Sequence, residues 1–275
     1  MISIPDSNLK VLESLHTYKF LTVPQFVRLG VNTHAQSVQR TLRRFKQYRK
    51  PFIGKKDFGF IAGVGNLHSV YYLTRHGAAL LAEYYRVDIS EINYPKGVPD
   101  FSKDYFHRWY TVDVHIAFRQ WAKKAGTDIE FFHTYFDHTG SNRAGGRKGR
   151  LRPRTKIDLA DGSFVPDAIY LAISPDGKKH FAVVEVHNGK DTGRFLQQME
   201  KHALALHTGA VAEAYGLALN NRVRWVFEHE ATMKAAMRRI QQEARFTPLR
   251  DWVDFNTVER IRENITVGWC SWKLR

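Results

Sequence analysis

The chain has 275 residues, 43% hydrophobic and 13% aromatic, which is enough to fold around two cores and too apolar for a disordered chain. Its 42 basic and 27 acidic side chains leave a net charge of +15, which points to a polyanionic partner, nucleic acid ahead of a membrane surface. The lone Cys270 excludes an internal disulfide and a cysteine-based zinc site, no apolar run is long enough to span a membrane, and MISIPDSNLK carries no signal-peptide pattern, so the expected compartment is the cytoplasm.

Residues 1–92 read as a small domain. Leu9, Leu12 and Leu15 behind Asp6 and Ser7 predict a first helix. Thr22 caps a second, with Pro24 in its first turn, Phe26 and Leu29 on its apolar side and Gly30 at its end. Asn32 or Thr33 opens a third helix through HAQSVQRTLRRFKQYRK. Steps of three and four residues put Ala35, Val38, Leu42 and Phe45 on one side. The other side holds Gln36, Gln39, Arg40, Arg43, Arg44 and Gln47, and Arg40 to Lys50 contains six basic residues and no acid. PFIGKKDFGFIAG and HSVYYLT predict two strands joined by a glycine-rich excursion over Gly59–Gly65. A fourth helix follows, capped by Thr74.

Three helices, a hairpin and a closing helix is the order of a winged helix-turn-helix domain. There the third helix enters the major groove, where Arg and Gln can bond guanine and adenine edges in pairs. Thr33, Gln36, Gln39, Arg40, Arg43 and Arg44 are therefore the candidate readers of double-stranded DNA, with Lys55 and Lys56 near phosphates. The competing reading is a solvated basic helix in a domain that docks a protein. Residues 1–92 hold 13 basic and 6 acidic side chains, net +7, which leaves +8 for the remainder, so both halves are candidates for contact with the DNA backbone.

NYPKGVPDFSKD, residues 93–104, reads as a linker, with two prolines and no apolar period. Residues 105–275 read as an α/β domain with a central mixed sheet. Phe106, Tyr110, Val114, Ala117, Phe118 and Trp121 line one side of a long helix that also contains His107 and Asp113 and stops at Gly126. IEFFHTYFDH predicts an edge strand. The following segment from Arg143 to Arg154 carries six basic residues, three glycines and one proline, which suits phosphate neutralisation and nominates Arg143, Arg147, Lys148 and Arg150 as further DNA contacts. TKIDL resumes the sheet. FVPDAIYLAI and HFAVVEVHNG, joined by the turn PDGKK, predict a hairpin. A helix with Phe195, Leu196, Met199, Ala203 and Leu206 on one side comes next. NRVRWVFEHE, with Val223, Trp225 and Phe227 on one face, ATMKAAMRRIQQEAR, WVDFNTVERI and ITVGWCSW complete the alternation of strands and helices.

The period of two along a strand points Glu185 and His187 to one face and Val184 and Val186 to the other, with Asp167 on the partner strand able to lie beside them. Pro166-Asp167 followed by Glu185-x-His187 resembles the core of PD-(D/E)XK nucleases. That resemblance implies two acids holding Mg²⁺ or Mn²⁺ and a basic residue serving the attacking water. Asp167 and Glu185 stand at the acidic positions, and His187 stands where an active nuclease has Lys. Lys201 on the next helix is the candidate substitute cation, and Asp113 a third candidate ligand, set against a merely solvated role. An alternative without metal is a structural relic of such a site.

Taken in order, FLTVPQFVRLG, VYYLTRHGAALLA, FHRWYTVDV and VPDAIY with VVEVHNGKDTGRFLQQMEKHALAL resemble the replication-relaxation family of plasmid and mobile-element proteins. The resemblance covers most of the chain and implies a winged helix fused to a nuclease-like α/β domain, acting in plasmid replication, DNA relaxation or transfer. At His187 that family would have Asp. The leading expectation is a DNA-binding protein of a mobile element, with a second copy of the chain as a candidate partner. A metal-dependent endonuclease or nickase using Asp167, Glu185, His187 and Lys201, and a transcriptional repressor, are the alternatives. No phosphate-binding glycine loop and no GxSxG elbow occur.

Overall fold

The computed structural model describes residues 6–140, 151–265 and 270–271. Arg143, Arg147, Lys148 and Arg150 lie outside the described residues. The chain divides into two compact units, Met1–Tyr105 and Phe106–Arg275.

The first unit runs α1 (Asp6–Tyr18), β1 (Leu21–Thr22), α2 (Val23–Arg28), α3 (Ala35–Gln47), β2 (Ile53–Lys56), β3 (Phe60–Ile61), β4 (Gly65–Asn66), β5 (Val70–Leu73) and α4 (Arg75–Tyr85). β5 pairs antiparallel with β1 on one side and β2 on the other. Beyond them β3 and β4 form a short hairpin with Phe60 opposite Asn66. α2 starts as its sequence requires: Gln25 Oε1 accepts from Thr22 N at 2.9 Å, and Gly30 leaves the helix with φ +68°. Thr74 caps α4 by accepting from Gly77 N at 3.1 Å. Gly77 has to be glycine, because a Cβ there would sit 2.0 Å from the Phe52 carbonyl oxygen. The core comprises Leu12, Leu15, Phe26, Val38, Leu42, Phe45, Phe52, Leu73 and Leu81, all 1% exposed or less.

Residues 93–104 do not behave as a free tether. Asn93 N donates to His16 Nδ1 at 2.9 Å, and Phe101 is buried with its ring 5.2 Å from Phe20 and 4.5 Å from Phe58. Burying one aromatic ring outweighs the disorder favoured by the flanking Pro and Gly.

The second unit runs α5 (Tyr105–Ala125), β6 (Asp128–Thr134), β7 (His138–Thr139), β8 (Arg152–Pro153), β9 (Ile157–Leu159), β10 (Gly162–Phe164), β11 (Ala168–Ile173), β12 (Lys179–His187), α6 (Thr192–Thr208), α7 (Ala210–Ala214), β13 (Arg222–Phe227), α8 (Glu230–Gln242), β14 (Val253–Thr257), α9 (Val258–Glu263) and β15 (Cys270–Ser271). Six strands make one mixed sheet in the order β15-β14-β13-β12-β11-β6. β12, β13 and β14 are parallel, and the other pairs are antiparallel. Tyr110, Val114 and Phe118 of α5 and Val258 and Ile261 of α9 cover one face, over Tyr170, Val184, Val186 and Val226. Phe195, Leu196 and Met199 of α6 and Met233, Ala236 and Ile240 of α8 cover the other, over Val223, Trp225, Phe227 and Phe255. Alternate residues of β12 and β13 thus feed opposite layers, as a period of two demands.

One expected strand splits. TKIDL does not join the main sheet: β9 pairs with β10, Phe164 opposite Ile157. Pro166 has no N–H to give to a ladder, so the run breaks at 165–167 before β11 begins at Ala168.

Candidate functional sites

The first candidate is the outer face of α3. Val38, Leu42 and Phe45 are buried, and Gln36, Gln39, Arg40, Arg43 and Arg44 on the opposite side are exposed. The residue at the helix entrance is His34, whose N–H donates to Asn32 Oδ1 at 3.2 Å; Thr33, just outside the helix, is exposed. Between Glu13 and Glu83 the sequence contains a single carboxylate, Asp57. That one is taken: Lys55 Nζ lies 2.8 Å from it, Ser69 Oγ donates to it, and Lys55 is the main reason its acidity is increased. Lys55 is therefore already compensated, while Lys56 Nζ sits 6.0 Å over the Phe58 ring. Among the described residues, Arg40, Arg43 and Arg44 have no carboxylate partner. Exposed guanidinium groups with no anion of their own are what a phosphate-lined partner would meet.

The second candidate lies where β11 and β12 begin to diverge. Ala168 is opposite Val184, so Asp167 stands level with Glu185. Asp167 Oδ2 accepts from Val186 N at 2.6 Å, and its Oδ1 is 2.7 Å from His107 Nε2. His107 also reaches Asn188 Oδ1 at 3.1 Å. Glu185 is 2% exposed, and its Oε1 lies 2.7 Å from His202 Nε2 on α6. Among the described residues, Glu185 Oε2, His202 Nδ1 and His187 Nε2 are buried without a hydrogen-bond partner. His187 packs against the rings of Phe227 and Phe195.

Burial, reinforced by the nearby Asp167 charge, holds the Glu185 carboxyl well above its ordinary range. Burial also pulls His202 down to about 3 and lowers His187, the latter helped by Arg194. Both shifts favour the uncharged forms of Glu185 and His202. They bias stability in opposite directions. Glu185 resists ionising when folded, so its contribution is present in acid and is eroded as pH rises above 4.5. His202 stays neutral when folded, so its contribution is present above 6.5 and is lost as pH falls towards about 3. Glu185→Gln removes the first bias and keeps the second. Lowering the pH from 7 to 5 is then expected to cost the variant more stability than it costs the wild type, because only the wild type regains the Glu185 contribution in acid. Urea midpoints at the two pH values measure this, and parallel profiles would mean that Glu185 is ionised in the folded chain.

The remaining candidates fall elsewhere. Lys201 is exposed, and its neighbour His202 is the side chain turned to Glu185. Asp113 is not solvated: it is fully buried and bonded to Arg262, with Nε 2.8 Å from Oδ2. The guanidinium of Arg262 lies over the rings of Trp109 and Tyr110, and Tyr110 donates to Glu228 Oε1 at 2.7 Å.

As arranged here, these residues offer few free carboxylate oxygens to Mg²⁺ or Mn²⁺. A hard divalent ion needs several free oxygens. Here Asp167 spends one oxygen on His107 and the other on Val186 N–H, Glu185 places one oxygen against His202 Nε2, and Asp113 is paired with Arg262. Among the described residues, no group of three or more His, Cys, Asp or Glu side chains is arranged to hold a metal.

His107, His202 and Arg262 have no role in the motif reading. His202 had a usable signal: 195, 199, 202 and 206 are helical steps along the apolar stripe of α6, and a histidine there must be buried. No family model matches the chain, and neither does any curated protein or solved structure. Among the described residues, no helix is long and apolar enough to cross a membrane.

Proposed function

We propose that the chain binds a site on double-stranded DNA through the outer face of α3. In this reading the first unit is a winged helix-turn-helix domain. The second is a nuclease-like domain whose acid pair is structural. The observation that carries the proposal is the row of exposed, carboxylate-free side chains Gln36, Gln39, Arg40, Arg43 and Arg44 on a helix anchored by Val38, Leu42 and Phe45. The element order supports it, because α3 is followed by β2 and β5 with the β3–β4 hairpin extending them as a wing. In such a domain the Arg and Gln side chains read base edges and the surrounding lysines meet phosphates. The resemblance to replication-relaxation proteins implies that the site belongs to a plasmid or other mobile element and that binding serves replication, relaxation or transfer.

The test is a gel-shift titration of the full chain against duplex DNA, beside a chain lacking both Arg40 and Arg43. No shift by the wild type at low salt would sink the proposal.

The nuclease-like reading of the second unit is supported by a helix ahead of the sheet, the hairpin that carries both acids and the helix that follows it. With His202 holding Glu185, supercoiled plasmid incubated with the protein and Mn²⁺ is expected to stay uncut, as it does with Glu185→Gln. Nicking by the wild type that the variant lacks would overturn the structural role given to the pair.

A further inference from the structure

The β3–β4 hairpin carries an exposed apolar tip. Phe60 is 67% exposed, Val64 60% and Ile61 38%. From Phe58 to His68 the sequence FGFIAGVGNLH has no Asp, Glu, Lys or Arg. Gly59, Gly63 and Gly65 take φ of +79°, +80° and +96°, so the tip is bent by residues that can adopt those angles, and three large apolar side chains stand outward on it. A loop meant only for solvent, or for phosphates, would be polar or basic. This one is neither, although the surrounding stretch from residue 14 to 82 has 11 basic side chains and one acid.

We infer that the tip is a wedge for duplex DNA: Phe60, Ile61 and Val64 enter the minor groove and lever a base step apart, kinking the helix. This rests on the DNA-binding reading above and adds the manner of contact. The charge of the stretch selects a polyanion, and the only apolar surface such a partner offers is its stacked bases. Proteins that bend DNA use apolar side chains in that way, exchanging stacking for a bent duplex that meets more of the protein surface. The wedge carries no hydrogen-bonding group, so it favours flexible pyrimidine–purine steps and leaves base reading to α3.

The experiment uses the full chain and a duplex selected by the wild type from a randomised pool, labelled at both ends for energy transfer. The wild type is expected to shorten the end-to-end distance, corresponding to a kink of about 20–90°. The Phe60→Ser/Val64→Ser chain is expected to bind the same duplex without shortening it, with affinity down roughly tenfold, as the extra contacts that a bent duplex makes with the protein are lost. Phe60→Leu/Val64→Ile, which keeps the apolar volume, should bend as the wild type does. Equal bending by the serine variant, or a straight duplex with the wild type, overturns the wedge and leaves DNA binding by α3 intact. Loss of a dimer in sedimentation by the serine variant, with bending unchanged, assigns the tip to a second copy and likewise overturns it. A wild type that binds no duplex at all removes the DNA-binding reading itself.

Discussion

Replacing Arg40 and Arg43 together by alanine is expected to lower affinity for the selected duplex by about 2–6 kcal/mol, roughly 30-fold or more, if each makes a paired contact to a base edge worth about 1–3 kcal/mol. The two side chains lie three residues apart on α3, on the side opposite Val38, Leu42 and Phe45, and both are exposed. Neither holds a carboxylate among the described residues, so their removal strands no internal charge. Folding stability should change by no more than about 0.5 kcal/mol, the usual range for surface positions. Gel shifts against the selected duplex and a scrambled one separate two outcomes. Loss confined to the selected sequence assigns the arginines to bases. Equal loss on both, with a shallower salt slope, assigns them to phosphates. Unchanged binding to both would mean that α3 is only a solvated face.

Arg262→Ala carries the largest expected cost to stability. Asp113 is fully buried, and Arg262 on α9 supplies its charged partner. Removing the guanidinium leaves a carboxylate in a layer formed by Tyr110, Val114 and Phe118. Breaking a buried ion pair by removing one partner costs about 3–5 kcal/mol, and the lower figure applies because the Arg262 side chain keeps 31% of its exposure. Loss of the contacts with the Trp109 and Tyr110 rings adds about 0.5–1 kcal/mol. Replacing both partners, Asp113→Leu with Arg262→Met, should recover most of that, because it removes the need for a charge pair instead of breaking it. Urea denaturation of the three chains decides the matter. A single variant as stable as the wild type would mean that the Asp113–Arg262 pair contributes nothing to stability.

Much of the fold was legible because local rules decided it. Thr22 and Thr74 begin helices, and Gly30 and Gly126 end them with positive φ, since few other residues tolerate that conformation. The stripe Val38, Leu42, Phe45 marked the buried side of α3, so the opposite residues had to face solvent. The alternation in β12 and β13 separated Val184 and Val186 from Glu185, and Val226 from Trp225 and Phe227. Where the reading failed, a contact distant in sequence had intervened. Phe101 draws a proline-containing segment onto Phe20 and Phe58. α5 is buried on nearly all sides from Tyr110 to Phe118, so its one predicted stripe understates what it covers, and Asp113 is inside.

The acid site divides the same way. The sequence by itself determined that Asp167 and Glu185 would share a hairpin, because a turn at 175–178 and a period of two leave little freedom in register. It also determined a basic, carboxylate-poor helix with a free outer face. Only the tertiary structure decided what those acids do. Whether a carboxyl holds a metal, keeps its proton or pairs with a cation depends on burial and on the groups brought to it. Here those groups come from α5 and α6: His107 sits 60 positions from Asp167, and His202 17 positions from Glu185. Helical spacing puts His202, and not Lys201, on the apolar stripe of α6, but it does not say which group His202 will meet there. The packing of α6 against the sheet decides that, bringing the imidazole beside Trp225 and Phe164 and onto Glu185.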